Sequence, residues 1–233
     1  MQRADVTNGI YNTWKMADEL GIAEVFSNPA PLPVNEEFRN IIYSSESLYT
    51  QTYIAGLSLS HYNILLSDYS YFQFSWESEH CVRYAFYPNP FISGNDDEVK
   101  AIKKWRDLVE SDFLTHEEFL RLLTDRPPSS GVPMFRYENA PSQRKKFKHP
   151  CSHFHIGFHS ENRWPLERIL TPYAFSLLVF KAYYGLPWIE YGDEEEPEIG
   201  NRFERILLNE KSNCPIVPQL LFENVERRTF FFG

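Results

Sequence analysis

Four of the seven histidines in this 233-residue chain fall within one stretch, Lys148 to Arg168, which reads KHPCSHFHIGFHSENRWPLER: His149, His153, His155 and His159. Imidazole titrates nearest to neutral pH, so one ring of a pair can take a proton while its neighbour gives one. Phosphodiester cleavage needs that equipment: a general base for a hydroxyl, a general acid for the leaving oxygen, and a cation for the charge that builds on the phosphoryl group. His153 and His155 are the expected acid–base pair, in either order, and Arg136 is the expected cation. Arg163 and Arg168, with His149 and His159, are the expected phosphate- or substrate-binding residues. RNA is the expected substrate, and the chemistry is expected to run without a metal ion.

Other chemistries compete for the same residues. Cys151, His153 and His155 occupy alternate positions, and thiolate with imidazole suits zinc. Neighbouring positions on one strand cover a coordination sphere poorly, however, and no acidic residue follows at helical spacing as in HExxH. No metal or other cofactor is therefore expected, with zinc at Cys151, His153 and His155 as the alternative. Cys151 reads better as a small buried cysteine beside a proline turn than as a nucleophile. A non-enzymatic reading takes Tyr71, Gln73, Tyr84 and the histidines as a binding surface, since bases stack on tyrosine whatever the sequence. No Walker loop, GxGxxG or GxSxG is present.

A strand must hold these rings. Successive strand side chains point to opposite faces, so His153, His155 and Gly157 share one face and Phe154, Ile156 and Phe158 the other, which looks like a core. The imidazoles then project about 7 Å apart. A second strand over Met134–Tyr137 brings Arg136 alongside; Tyr137 points the other way and takes no role. Glu138 to Lys148 reads as a basic loop between the two strands.

The rest of the chain frames this pair. Apolar residues at helical spacing (Ile10, Trp14, Ala17, Leu20, Val25) predict a helix over residues 5–26. Asn35 is set to cap a second helix, and residues 44–60 also read as helical. Asn63–Leu66, Tyr71–Trp76 and Val82–Tyr87 read as an antiparallel meander, with Phe72, Phe74 and Trp76 opposite Tyr71, Gln73 and Ser75. Helices are predicted over Asp96–Ser111 and after the Thr115/Glu118 capping box. Another runs from Thr171 and Pro172 to a stop at Gly185, and a last one covers Asn201–Asn209. The tail, ending RRTFFFG, reads as a final strand. The fold class is α+β: an antiparallel sheet of about five strands packed by helices from both ends. One domain spans 1–233, with a helical portion over 1–60, the sheet and site over 61–185, and a C-terminal helix and tail over 186–233.

Composition narrows the function classes. The chain is 42% apolar and 16% aromatic, with 19 Phe and 14 Tyr, which affords a sizeable core and argues against disorder. A net charge of −9 opposes indiscriminate capture of nucleic acid. The charge is uneven: Arg144, Lys145, Lys146 and Lys148 precede the histidines, and Asp193, Glu194, Glu195, Glu196 and Glu198 form an acidic run later. No apolar run approaches the ~18 residues of a membrane span. MQRADVTNG lacks a signal peptide's apolar stretch, and three cysteines form no paired framework. A cytoplasmic protein without membrane partners is expected.

Five blocks, in order, carry a family resemblance: SYFQFS (70–75), RYAFYPNPF (83–91), FRYEN (135–139), HPCSHFHIG (149–157) and RILTPYAFSLLVFKAYY (168–184). Together they resemble the bacterial family catalogued as domain of unknown function 2290, from about residue 60 to 185. The resemblance implies a bacterial cytosolic protein of mobile or defence-related gene neighbourhoods and brings no established activity. A shorter block is similar to TumE-type toxins of toxin–antitoxin systems: Arg136, Tyr137, Glu138, Asn139, Ala140 and Pro141, then His149, Pro150, His153 and His155. Glu138 stands where those toxins usually carry Asp. The function these resemblances imply is a defence or toxin-type effector acting on RNA or another phosphodiester, with a companion protein from the same operon as partner. The alternative is a non-catalytic binding subunit of such a complex.

Overall fold

Helical periodicity at the N-terminus ends sooner than its apolar spacing suggests. In this computed structural model, which describes residues 1–44, 46–93, 96–128, 132–158, 162–193 and 201–230, α1 (Arg3–Glu19) buries Val6, Ile10, Met16 and Ala17. Gly21 then takes a φ of +67°, a conformation that costs glycine nothing and stops the helix. Val25, expected on the helix, lies instead in a strand, β1 (Ala23–Phe26), opposite Leu65. Asn35 caps α2 (Glu36–Tyr43) as its sequence predicts, its Oδ1 accepting from the Phe38 amide at 3.0 Å. The helical reading of 44–60 corresponds to α3 (Tyr49–Ser58).

Six more strands follow: β2 (Ile64–Leu66), β3 (Tyr71–Ser78), β4 (Cys81–Tyr87), β5 (Phe135–Asn139), β6 (Ser152–Ile156) and β7 (Trp164–Pro165). The described sheet has seven strands in the order of the chain, each pair of neighbours antiparallel. The α+β class is as expected, but the count of about five is corrected to seven. The additions are the two edges, four and two residues long; strands this short show too little alternation to be read.

Between β4 and β5 the chain builds α4 (Asp96–Glu110) and α5 (His116–Thr124), the latter opened by the Thr115–Glu118 capping box. After the sheet come α6 (Pro172–Tyr183), α7 (Gly185–Gly192), α8 (Arg202–Asn213) and α9 (Asn224–Phe230). Thr171 Oγ1 accepts from the Ala174 amide at 3.0 Å and caps α6. Gly185 ends no helical run; it opens α7 after a break at Tyr184. The tail, expected as a strand, is helical over Asn224–Phe230, where the Glu223 amide donates to Glu226 Oε2 at 2.6 Å. Its last three residues lie outside the described residues, as does most of the acidic run from Glu194 onward. Among the described residues no helix is long and apolar enough to cross a membrane.

The sheet carries an aromatic layer on each face. On one, Phe72, Phe74, Tyr84, Phe86, Tyr137 and Phe154 pack against α1, α6 and α8 through Ile10, Phe175, Phe180 and Phe203. On the other, Tyr71, Ala85 and Tyr87 pack beneath Phe38, Tyr53, Ile102 and Phe119 of α2 to α5. Each fully buried Phe contributes about 1.5–3 kcal/mol through lost apolar exposure, so the two layers fix the sheet as a rigid floor. Tyr84 therefore belongs to a core: it pairs with Phe74 and points away from Gln73, and Tyr71 is buried too. These two tyrosines do not form the binding surface expected from the sequence. Phe158 is also displaced. Gly157 has a φ of +95°, alternation ends, and Phe158 packs on Tyr49 at 5.7 Å in the second layer instead of beside Phe154.

Candidate functional site

The second aromatic layer covers β2 to β4 and gives out toward β5 and β6. There the same face of the sheet carries polar side chains instead. Antiparallel pairing sets Arg136 opposite His155 and Glu138 opposite His153. One strand further, Arg83 lies opposite Glu138. Residues directly opposite in a ladder share a face, so three arginine, glutamate and histidine pairs stand together on strands whose backs are locked in the aromatic core. Tyr137 points into that core, as its parity requires.

The rings are much closer at their tips than the spacing of their backbones suggests. His153 Nε2 and His155 Nε2 are 3.0 Å apart, with ring centroids 4.8 Å apart and planes at 67°. The His149 ring stands edge-on to His153 at 4.8 Å. Glu138 Oε2 is 3.9 Å from His153 Nε2, while its other oxygen accepts from Arg83 Nε at 2.7 Å. One ligand-type atom from each of Glu138, His153 and His155 lies within 4.8 Å of the others. His153 is fully buried and His155 nearly so.

Burial, reinforced by His155, pushes His153 down to about 3, and the nearby Glu138 carboxylate offsets this only in part. His153 is thus neutral at neutral pH and is no general acid there. Burial pushes the Glu138 carboxyl up, but the Arg83 hydrogen bond and charge, with the two histidines, hold it below the usual carboxylate range. The carboxylate is charged. An acid and a base that bracket a phosphoryl group each need a hydrogen bond of about 2.6–3.2 Å to it, and nitrogens in mutual contact at 3.0 Å leave no such room. The three groups converge on a common point instead.

Above the cluster lies a cavity of about 670 Å³. Glu77, Glu138, His149 and His155 line it, together with four arginines, Arg39, Arg83, Arg136 and Arg163. His153 is not part of the lining. Arg136 Nε is buried and has no hydrogen-bond partner among the described residues. Tyr43 contributes to the wall from α2, is 70% exposed, and has the Arg39 guanidinium 5.7 Å from its ring centroid.

Of the residues singled out by sequence, His149, His155, Arg136 and Arg163 meet at this cavity, with His153 directly behind. Arg168 does not join them. Its Nη1 donates to the Cys214 carbonyl at 2.8 Å and ties down the chain before α9. His159 lies outside the described residues. Cys151 is buried with its sulfur 3.6 Å from Asn139 Oδ1, and it is not among the converging ligand atoms. Glu138 takes the place that the zinc alternative gave to Cys151. Glu138, Arg83 and Arg39 were not foreseen as site residues. For Glu138 a signal existed, since it has the same parity as Arg136 in FRYEN; the expected strand ended at Tyr137, two residues before the observed end at Asn139.

Fold and site together define an α+β protein whose antiparallel sheet presents a buried histidine–carboxylate cluster beneath an arginine-lined cavity. The chain belongs to the family of uncharacterized conserved proteins DUF2290, whose model matches residues 27–217. That span includes every side chain of the cluster and cavity named above. No curated protein and no solved structure matches the chain.

Proposed function

We propose that this chain cleaves phosphodiesters, with single-stranded RNA as substrate, in the arginine-lined cavity, and that it acts as an effector of the defence or toxin type. The observation that carries this reading is the gathering of Arg39, Arg83, Arg136 and Arg163 around one cavity in a chain of net charge −9. Four arginines against two carboxylates, Glu77 and Glu138, leave this concave site with a positive balance that attracts an anion against the field of the whole molecule. Arginine is also the side chain best shaped to hold phosphate. Arg136 is the primary phosphate ligand and Arg163 its support. Tyr43, exposed at the rim under Arg39, supplies a stacking surface for an unpaired base. His155 and Glu138 are the polar groups at the reacting end, and His153 acts through them.

Purified protein incubated with end-labelled single-stranded RNA, with and without added divalent cations, tests this. Wild type is expected to cleave, and Arg136→Met to lower kcat/KM by about 10²-fold or more, the usual cost of a lost transition-state donor. In cells, expression of wild type is expected to arrest growth and Arg136→Met to relieve the arrest. If wild type cleaves neither RNA, nor single-stranded DNA, nor bis(p-nitrophenyl) phosphate under either condition, the reading is wrong. A growth effect that persists in Arg136→Met and tracks a co-purifying protein points instead to a non-catalytic subunit.

A further inference from the structure

The histidine–carboxylate cluster is arranged as ligands before any substrate is considered. We propose that Glu138, His153 and His155 hold a divalent transition-metal ion of the zinc class on the floor of the cavity. Two ligand nitrogens on such an ion, each at about 2.0–2.1 Å, lie about 2.8–3.4 Å apart for bond angles between about 90° and 109°. The Nε2 atoms of His153 and His155 are already 3.0 Å apart. Even two ligands on opposite sides of the ion are only about 4.2 Å apart. With all three ligand atoms within 4.8 Å and Glu138 Oε2 at 3.9 Å from His153, the carboxylate closes the set by moving about 1.5 Å or less. Glu138 has the longer side chain with which to make that shift, turning about the oxygen that Arg83 holds.

The surroundings match a ligand set. Arg83 engages Oε1 of Glu138 and leaves Oε2 aimed at the two ring nitrogens, which is how an outer partner orients a ligating carboxylate. Two imidazoles and one carboxylate are borderline donors suited to zinc and its first-row neighbours. Three protein ligands leave coordination positions open. His155 and Glu138 border the cavity and His153 lies behind them, so those positions face the arginines. An ion there would polarise a phosphoryl oxygen or activate a water for attack on it. That last step rests on the phosphodiester reading above; the binding site itself does not.

Full-length protein, stripped with chelator and dialysed free of it, is titrated with Co²⁺ followed by visible absorption. Competition with Zn²⁺ and elemental analysis are read in parallel. One Co²⁺ per chain is expected, displaced by Zn²⁺, with thermal unfolding shifted upward by either ion. Glu138→Gln and His155→Ala are expected to weaken binding by about 10²-fold or more. Glu138→Gln keeps the side-chain volume, and its ion-free melting curve reports folding separately. No stoichiometric ion in wild type, or undiminished affinity in Glu138→Gln, overturns the proposal. No stoichiometric ion together with RNA cleavage by the protein in chelator sinks it while leaving the phosphodiesterase reading intact. A stoichiometric ion without cleavage of any phosphodiester does the reverse.

Discussion

Arg83 and Glu138 face each other across β4 and β5 and are joined from Nε to Oε1 at 2.7 Å. Arg83 is about half exposed, so the pair is worth only about 0–1 kcal/mol to the fold. Its effect is directional: with one oxygen held, the other must point toward the histidines. Arg83→Met is expected to weaken Co²⁺ binding by about 10–100-fold with little change in ion-free melting temperature. Arg83→Lys, which keeps the charge without the planar donor, is expected to recover part of the loss. Unchanged affinity in Arg83→Met would show that the carboxylate is placed by other contacts.

Tyr137 anchors the back of the same strands. Ser152 Oγ donates to the Arg168 carbonyl at 2.8 Å, so at 2.9 Å it must receive the Tyr137 hydroxyl proton. The Tyr137 oxygen in turn accepts from the Leu170 amide at 2.9 Å, just before α6. Tyr137→Phe strands a buried N–H, and denaturant unfolding is expected to show a loss of about 1–3 kcal/mol.

Gly56 in α3 is a packing requirement. A Cβ there would sit 2.1 Å from the Tyr71 hydroxyl and 2.6 Å from its ring carbon. Tyr71 cannot retreat, because it is stacked between Tyr53 at 5.5 Å and Tyr87 at 4.7 Å. Helix propensity alone favours alanine by about 1 kcal/mol, yet Gly56→Ala is expected to destabilise by about 1–3 kcal/mol through overpacking. Adding Tyr71→Phe should return part of that loss, so the two changes are expected to be non-additive in chemical denaturation.

Asp68, in the turn between β2 and β3, gives a pH dependence of known sign. Burial raises its carboxyl above the ordinary 3.8 despite hydrogen bonds from Ser70 and Tyr184. The folded chain therefore holds this proton more tightly than the unfolded one. The Asp68 contribution to stability falls as pH rises from 3.8 through the folded value and then levels off. Melting temperatures of wild type and Asp68→Asn across that interval are expected to converge or cross in the variant's favour as pH rises. A constant difference would mean that Asp68 is not the linked group.

Much of this was legible in the chain because it is local. The Asn35 and Thr171 caps, the Thr115–Glu118 box and the three central strands all declare themselves within a few residues. The parity of His153, His155 and Arg136 likewise follows from strand geometry alone. What could not be read is set by distance or by torsion. Val25 fits a helical stripe, and only the left-handed Gly21 and pairing with Leu65 make it a strand residue. Two side chains rooted about 7 Å apart meet at 3.0 Å because of how their rings tilt. The Arg83 contact to Glu138 bridges 55 positions of sequence, and no periodicity signals it.

The strictly sequential order of the strands carries a last consequence. β3 and β4 can zip as a hairpin soon after they are made, but residues 88–134 with α4 and α5 intervene before β5 is available to join them. Closing so long an excursion carries an entropic cost that only the finished seam repays. Arg39 and Arg83 come from before that seam, whereas Arg136, Glu138, the histidines and Arg163 come from after it. A nascent chain still short of β6 can set Arg83 against Glu138 but lacks both histidines and Arg163, so the pocket is complete only once synthesis has passed them.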